Sequence, residues 1–217
     1  MRAVIFDFDG TIADSFTAVI DIAYRLTQSE LLADTNHVHK LRNKHNGLRE
    51  AIRILDIPHW KGAWMLKKGR KMMARDIKDI PLFEGMGQAI ARLSDAKFEL
   101  FVVTSNSTSN VERFLSNHGI LDDFKAIYGG AGMFSKQRLI KKAMKLNRLS
   151  PNTAIYVGDE VRDIEAAKEL KMPVVAITWG YNTEQLLLRH HPTLVARNPK
   201  QMVENIIEWN MRSINQT

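Results

Sequence analysis

Short apolar runs recur along this chain of 217 residues, and segments with helical spacing separate one run from the next. The runs are predicted to be β-strands and lie at residues 3–6, 98–103, 125–128, 154–157, 174–177 and 193–196. Strands that alternate with helices favour βαβ crossovers and a parallel sheet with helices on both faces. The sequence therefore predicts an α/β fold with a doubly wound parallel sheet.

The region between the first and second runs has helical spacing, and no strand is expected there. We expect residues 15–81 to form an all-helical domain that is inserted into the chain. Residues 1–14 and 82–217 would then form the α/β core domain.

The composition excludes several classes of protein. The chain has no cysteine, which rules out disulfides, thiolate metal sites and cysteine nucleophiles and fits a cytoplasmic enzyme. We expect no membrane span, and the N-terminal apolar run is too short for a signal peptide. The net charge of +7 fits surface lysines, an anionic substrate or nucleic acid, but no nucleic-acid-binding motif is present, so we expect no such partner.

Carboxylates, hydroxyls and a lysine stand just after the predicted strands. In chain order they are Asp7 and Asp9, then Thr104, Ser105 and Asn106, then Lys136, and finally Asp159, Glu160 and Asp163. The carboxyl ends of parallel strands share one edge of a sheet, where doubly wound folds bind their ligands. We therefore expect these side chains to meet in one site.

This set of side chains suits phosphoryl transfer. Mg²⁺ takes oxygen ligands and keeps several waters, so two or three carboxyl-bearing positions are enough to hold it. The cation and Lys136 would neutralise the phosphoryl oxygens, and an aspartate could then attack phosphorus to form an aspartyl-phosphate. Asp9 lies on the same side of an extended chain as Asp7, so it is placed to protonate the leaving oxygen and later to activate water.

The sequence resembles the haloacid dehalogenase superfamily, and within it the phosphoglycolate-phosphatase-like phosphatases that carry a helical cap. The motifs are Asp7-Phe8-Asp9-Gly10-Thr11, Ser105-Asn106, Lys136, Gly158-Asp159-Glu160-Val161-Arg162-Asp163 and Trp179-Gly180-Tyr181. The resemblance covers nearly the whole chain. It implies a Rossmann-like core, a cap made by the inserted helices, and Mg²⁺-dependent hydrolysis of small phosphate monoesters, such as phosphoglycolate or sugar and nucleotide phosphates. The partner would be a small phosphorylated metabolite, and the protein a monomer or homodimer.

The resemblance also implies a role for each site residue. Asp7 would be the nucleophile and Asp9 the general acid/base. Mg²⁺ would be held by the side chains of Asp7 and Asp159 and by the backbone carbonyl of Asp9. The transferred phosphoryl group would be bound by Ser105, Asn106 and Lys136, and Asp163 would support the metal and the lysine.

Alternatives stay open for several residues. Gln137 follows the lysine where relatives often carry proline, which leaves Lys141 or Lys142 as alternative phosphate ligands. Ser105 is alternatively a helix N-cap, and Asp163 a residue favoured by the helix dipole.

Alternatives also stay open for the whole protein. It could be a phosphomutase of the same superfamily, which passes the phosphoryl group to a sugar, or a non-catalytic binding module that keeps the fold. In the insertion, the candidate substrate contacts are Arg42, Lys44, His45, Asn46 and Arg49.

Overall fold

The computed structural model describes residues 2–28, 68–69, 71–130 and 136–214. The strands are β1 (Ala3–Phe6), β2 (Glu99–Val103), β3 (Phe124–Tyr128), β4 (Ala154–Gly158), β5 (Val174–Ile177) and β6 (Leu194–Ala196). The α-helices are α1 (Phe16–Thr27), α2 (Met86–Asp95), α3 (Thr108–Asn117), α4 (Lys136–Leu146), α5 (Val161–Glu169), α6 (Glu184–Arg189) and α7 (Pro199–Ile214). Short 3₁₀ helices span Ile77–Asp79 and Leu121–Asp123. No described helix has the length and apolar character that crossing a membrane requires.

The six strands form one parallel sheet in the order β3–β2–β1–β4–β5–β6. The chain moves outward from β1 to β2 and β3, and then returns to the other side of β1 as β4. This reversal creates the switch point at which doubly wound sheets bind ligands, at the carboxyl ends of β1 and β4. The predicted α/β class, with a Rossmann-like parallel sheet, is confirmed.

Strand β1 is apolar along its whole length because helices cover both faces of the sheet. Val4 and Phe6 pack into one hydrophobic cluster together with residues of α2, α3 and α7. Ala3 and Ile5 pack into a second cluster with residues of α4, α5 and α6. All four side chains of β1 are completely buried. A central strand between two helical layers therefore ends at Phe6, and the next residue emerges at the edge of the sheet.

The chain leaves and re-enters the core along two segments that lie side by side. The Asp14 N–H donates to the Pro81 carbonyl over 2.9 Å, and the Phe83 N–H donates to the Ile12 carbonyl over 3.2 Å. Between them, Ala13 and Leu82 form an antiparallel bridge. These bonds bring the ends of the predicted insertion next to the carboxyl end of β1.

The described parts of residues 15–81 contain helix α1, the 3₁₀ helix Ile77–Asp79 and a helical segment at residues 71–76. Met73 and Ile77 are buried in the larger core cluster. The division into a core and a helical cap stays a prediction. The candidate substrate contacts Arg42, Lys44, His45, Asn46 and Arg49 lie outside the described residues.

Two helix starts differ from the sequence-based expectations. Ser107, not Ser105, is the N-cap of α3, because the Ser107 hydroxyl accepts the Asn110 N–H over 3.3 Å. The N-cap alternative for Ser105 is therefore wrong. Helix α6 was not predicted, although Thr183 before Glu184 is an ordinary N-cap signal, and the Thr183 hydroxyl accepts from the Leu186 N–H.

The Ser107 cap yields a stability prediction. Ser107→Ala should lower the free energy of unfolding by about 1 kcal/mol, because the Asn110 N–H loses its side-chain acceptor and keeps only the Ser107 backbone carbonyl. Urea titration followed by circular dichroism measures this change. Ser116→Ala, at an exposed position of the same helix, should change the free energy of unfolding by less than about 0.5 kcal/mol. Equal losses in the two variants would contradict the cap.

Candidate active site

Asp7 is the first residue after β1, and its carboxyl group is almost completely buried. Its backbone N–H donates to the Val157 carbonyl over 2.8 Å, which extends the pairing of β1 with β4 by one residue. Lys136 Nζ lies 2.6 Å from Asp7 Oδ2 and forms an ion pair with it. No described residue makes a hydrogen bond of good geometry to that oxygen. The Asp7 Oδ2 atom is therefore buried and is stabilised by its ion pair with Lys136.

Lys136 is the first residue of α4, and it is 7% exposed. Besides Asp7, its ammonium group contacts Asp163 Oδ1 in a buried ion pair. Lys141 and Lys142, on the same helix, are exposed to solvent. The alternative that one of these two residues replaces Lys136 in the site is therefore wrong.

Asp159 follows strand β4 and is completely buried beside the chain segment that carries Asp7. The Thr11 hydroxyl donates to Asp159 Oδ1 over 3.0 Å, and the Tyr181 N–H donates to Oδ2 over 2.7 Å. Gly10 has a φ of +80°, and a Cβ atom there would lie 2.4 Å from Asp159 Oδ2. Glycine after Asp9 is thus required both by the backbone conformation and by the close approach of this carboxylate.

Asp163 lies in the first turn of α5, and its two oxygens have different partners. Oδ2 accepts the Glu160 N–H over 3.0 Å as part of a capping box, and Oδ1 contacts Lys136. Asp163 therefore lies in the first turn of a helix, as one reading of its role expected, and it also contacts Lys136, as the other expected. A Cβ atom on Gly158 would lie 2.4 Å from Asp163 Oδ2, so β4 must end in glycine for the carboxylate to fit.

Asp9 is half-buried, two residues beyond Asp7. Asn106 Nδ2 donates to Asp9 Oδ2 over 3.2 Å and lies 3.4 Å from Oδ1. Ser105 lies in the same turn after β2 and is also half-buried. The structure therefore brings the end of β2 to Asp9, and brings Lys136, Asp159 and Asp163 to Asp7.

Two charged residues next to this cluster, Glu160 and Arg162, have no predicted chemical role, although Glu160 was expected in the site. Arg162 pairs with Glu160, and its Nε donates to Glu160 Oε1 over 2.8 Å. The carboxylates of Glu160, Asp7 and Asp163 raise the pKa of Arg162 against the opposing effect of burial. Both residues lie inside the acidic motif, where the positive charge of Arg162 was the signal not considered.

The cluster holds more carboxyl groups than cationic side chains, and this excess raises the pKa values of its acids. Burial raises the pKa of Asp7 to about 7, even though the charge of Lys136 acts in the opposite direction. Burial and the neighbouring carboxylates of Glu160, Asp7 and Asp163 raise the pKa of Asp159 well above its usual range. Burial also raises the pKa of Asp9, against hydrogen bonds from Ser15 and Asn106. Such shifts are expected where several acids share one buried site.

The donor set fits a divalent cation. Asp7, Asp159 and Asp163 each offer a carboxylate oxygen, and these oxygens lie within 4.8 Å of one another. All three residues are buried, so a cation there would offset both their mutual repulsion and the cost of removing their charges from water. Both oxygens of Asp159 and of Asp163 already accept hydrogen bonds, whereas Asp7 Oδ2 accepts none from the described residues, so Asp7 is the best first ligand.

Comparisons with known proteins agree with this geometry. The family model described as haloacid dehalogenase-like hydrolase matches residues 4–177. Phosphoglycolate phosphatase of Synechococcus elongatus is 28% identical over 208 residues, which are 96% of this chain and 98% of that protein. Tyrosine-protein kinase PtkA of Mycobacterium tuberculosis is 26% identical over 199 residues, which are 89% of this chain and 68% of that protein.

Solved structures show the same fold. A predicted phosphatase from Clostridium acetobutylicum has a TM-score of 0.80 with 21% identity, and the match covers 95% of this chain and 98% of that one. Because relatives named as a phosphatase and as a kinase share this fold, the reaction has to be argued from the site.

The raised pKa of Asp7 predicts a pH-dependent effect of cations on stability. Its folded pKa of about 7 exceeds the ordinary value of 3.8, so its contribution to the stability of the cation-free protein is present below pH 3.8 and is lost as pH rises to about 7. Mg²⁺ binds the ionised form, so it should raise the melting temperature more at about pH 8 than at about pH 5. Thermal unfolding by circular dichroism measures both shifts.

The comparison variant for this experiment is Asp159→Asn, which removes one carboxylate from the proposed cation site. It should lose most of the Mg²⁺-dependent rise in melting temperature. A wild-type protein with the same melting temperature with and without Mg²⁺ at both pH values would argue against a cation site.

Proposed function

The chain belongs to the haloacid dehalogenase-like hydrolases, and we propose that this phosphatase uses Mg²⁺ and an aspartyl-phosphate to hydrolyse small phosphate monoesters. The observation that carries the proposal is the buried Asp7 carboxylate, paired with Lys136 and close to Asp159 at the end of β1. A buried carboxylate with an adjacent cation is a suitable nucleophile for phosphorus.

Asp7 and Lys136 act together in the first step. An oxygen of Asp7 forms a bond to phosphorus while the bond from phosphorus to the leaving oxygen breaks. Two anions repel each other, so the Lys136 ammonium group has to bind the phosphoryl oxygens as Asp7 approaches. Ser105 and Asn106, in the turn after β2, are the further phosphate ligands in this proposal.

Mg²⁺ would be held by the side chains of Asp7 and Asp159 and by the backbone carbonyl of Asp9, and it would supply positive charge to the phosphoryl oxygens. Asp163 supports this arrangement through its contact with Lys136. Thr11 and the Tyr181 N–H hold Asp159 in place. The chain thus orients its own carboxylates before the cation binds.

Asp9 moves the protons in both steps. In the first step it donates a proton to the leaving oxygen, and in the second it takes a proton from the water that attacks phosphorus and releases Asp7. A carboxyl group needs a raised pKa to carry a proton near neutral pH, and burial raises the pKa of Asp9. Inorganic phosphate and the alcohol are the products.

The substrate is proposed to be a small phosphorylated metabolite of the phosphoglycolate, sugar-phosphate or nucleotide class. The first of these comes from the name of the Synechococcus elongatus relative. A phosphomutase remains the alternative, since an acceptor sugar could replace water in the second step. Product analysis with hexose phosphates separates them, because only a phosphatase releases inorganic phosphate. A cytoplasmic location and a monomeric or homodimeric state stay predictions.

The nucleophile assignment predicts an inactive variant that still folds. Asp7→Asn should lower the rate of phosphate release from 4-nitrophenyl phosphate by at least about 1,000-fold, because the amide cannot form the aspartyl-phosphate. Asp9→Asn should instead slow the breakdown of the phospho-enzyme, which acid-quenched labelling with a phosphate ester carrying radioactive phosphorus detects. Hydrolysis at the wild-type rate by purified Asp7→Asn would contradict the assignment. Wild-type protein that releases no phosphate at any pH or metal concentration would favour a binding module.

The lysine assignment is tested on a single helix. Lys136→Met should lower kcat/KM by at least about 100-fold, because a buried charge that stabilises the transition state is lost. Lys142→Met removes an exposed lysine of α4 and should leave kcat/KM within about twofold of the wild-type value, since exposed charges are screened by salt. Similar losses in both variants would contradict a specific role for Lys136.

A further inference from the structure

The turn after β2 holds the backbone of Asn106 in place. The Asn106 N–H donates to the Thr104 hydroxyl oxygen over 3.0 Å, and the Asn106 carbonyl accepts the Gly130 N–H over 2.6 Å. A Cβ atom on Gly129 would lie 2.7 Å from the Asn106 carbonyl oxygen, so the loop after β3 approaches this closely because it has glycine there. These contacts fix where the Asn106 side chain begins, but they do not decide which way its amide group faces.

The side-chain amide of Asn106 has different partners at its two ends. Its Oδ1 atom accepts the Ser107 N–H over 2.8 Å and an N–H of Asn110 Nδ2 over 3.0 Å. Its Nδ2 atom lies 3.2 and 3.4 Å from the two oxygens of Asp9, which belongs to the proposed active site. Two donors at the oxygen end therefore leave the nitrogen end on the side of the active site.

Asn110 lies in the first turn of α3 and is 5% exposed. Its backbone N–H donates to the Ser107 hydroxyl over 3.3 Å and to the Ser107 carbonyl over 3.1 Å, so the start of the helix fixes its position. From there its side chain reaches back four residues to Asn106. Asn110 belongs to none of the sequence motifs that predict the site.

We propose that Asn110 is a positioning residue, which holds the Asn106 amide so that its nitrogen, and not its oxygen, faces the transferred phosphoryl group. This inference rests on the proposed function, because it requires Asn106 to be a phosphate ligand. It adds helix α3 to the elements that shape the site.

The orientation matters because the two ends of an amide group have opposite polarity. Nitrogen and oxygen occupy similar positions in this flat group, so a half-turn about its last bond exchanges a donor for an acceptor. The reversed amide of Asn106 would direct its oxygen at an anionic phosphoryl group and remove a donor from it. It would also leave the Ser107 N–H and the Asn110 amide without their acceptor, which is costly for buried donors.

Asn110→Asp tests this role, because a carboxylate accepts hydrogen bonds and cannot donate one to Asn106 Oδ1. Aspartate has nearly the same shape as asparagine and suits the first turn of a helix. The inhibition constant of inorganic phosphate, measured against hydrolysis of 4-nitrophenyl phosphate with Mg²⁺ present, should rise by about tenfold, as expected when a hydrogen bond to a charged group is lost. An inhibition constant does not depend on the folded fraction of a preparation, so a loss of stability cannot imitate this result.

The double variant with Asn106→Ala separates positioning from charge repulsion. If Asn110 acts through Asn106, Asn110→Asp should change the inhibition constant by less than about twofold once the Asn106 amide is gone. The added negative charge repels phosphate with or without that amide, so an equal rise in both backgrounds would overturn the positioning role. The uncharged Asn110→Leu should raise the constant by about threefold, less than Asn110→Asp, because the Ser107 N–H still holds Asn106 Oδ1.

Asn205→Asp is the matched control. Asn205 is half-buried in α7, and its Nδ2 donates to the Val195 carbonyl over 2.9 Å. The substitution also adds a negative charge and removes an amide donor, but on a helix that carries no residue of the proposed site. It should leave the inhibition constant of inorganic phosphate within about twofold of the wild-type value.

The outcomes separate the inference from the proposed function. Wild-type protein that hydrolyses no phosphate ester overturns the proposed function and with it this inference. Active wild-type protein with an unchanged inhibition constant in Asn110→Asp overturns only the positioning role. An unchanged constant in Asn106→Ala also overturns it, since Asn106 is then no phosphate ligand, but leaves Asp7 and Lys136 in their roles. A rise that requires the Asn106 amide, and is absent in Asn205→Asp, supports the inference.

Discussion

The ion pair between Lys136 and Asp7, buried among further carboxylates, is the interaction on which the rest of the structure depends. Each of these charges would be costly if it were buried alone, and together they leave an excess of negative charge at the end of β1. A bound cation would correct that excess. The proposed cation and phosphoryl group would thus offset a repulsion that lowers the stability of the cation-free protein.

The fold supplies the close contacts that this charge cluster needs. Three glycines allow carboxylates to approach the backbone: Gly10 and Gly180 lie against Asp159, and Gly158 lies against Asp163. Each approach would be blocked by a single methyl group. The strands therefore end in glycine-containing turns for a packing reason, and the same turns bring the motifs together.

The site is also joined to the region where the chain leaves the core. Ser15 immediately precedes α1 and its hydroxyl lies 2.7 Å from the Tyr181 hydroxyl, and the neighbouring segments pair through Asp14 and Pro81. Tyr181 closes this arrangement from the loop after β5. Tyr181 therefore contacts the residue before α1 through its hydroxyl and the proposed cation ligand Asp159 through its backbone N–H.

The sequence by itself determined the α/β class, since apolar runs between helical segments leave few alternatives to a parallel sheet. It also indicated that Asp7, Asp9, Lys136, Asp159 and Asp163 lie near the carboxyl ends of strands, because motif residues directly follow the apolar runs. The local sequence was less informative where two neighbouring side chains could both serve as a helix cap. Both Ser105 and Ser107 could cap α3, and only the backbone geometry decided for Ser107.

Tertiary structure alone decided which partners meet. Lys136, Lys141 and Lys142 lie on the same helix, but only Lys136, the buried first residue of α4, reaches Asp7. The contacts of Tyr181 with Asp159 and with Ser15 join residues 22 and 166 positions apart. Such contacts depend on how the layers of the fold pack in three dimensions, and the local periodicity of a sequence carries no information about which distant residues meet.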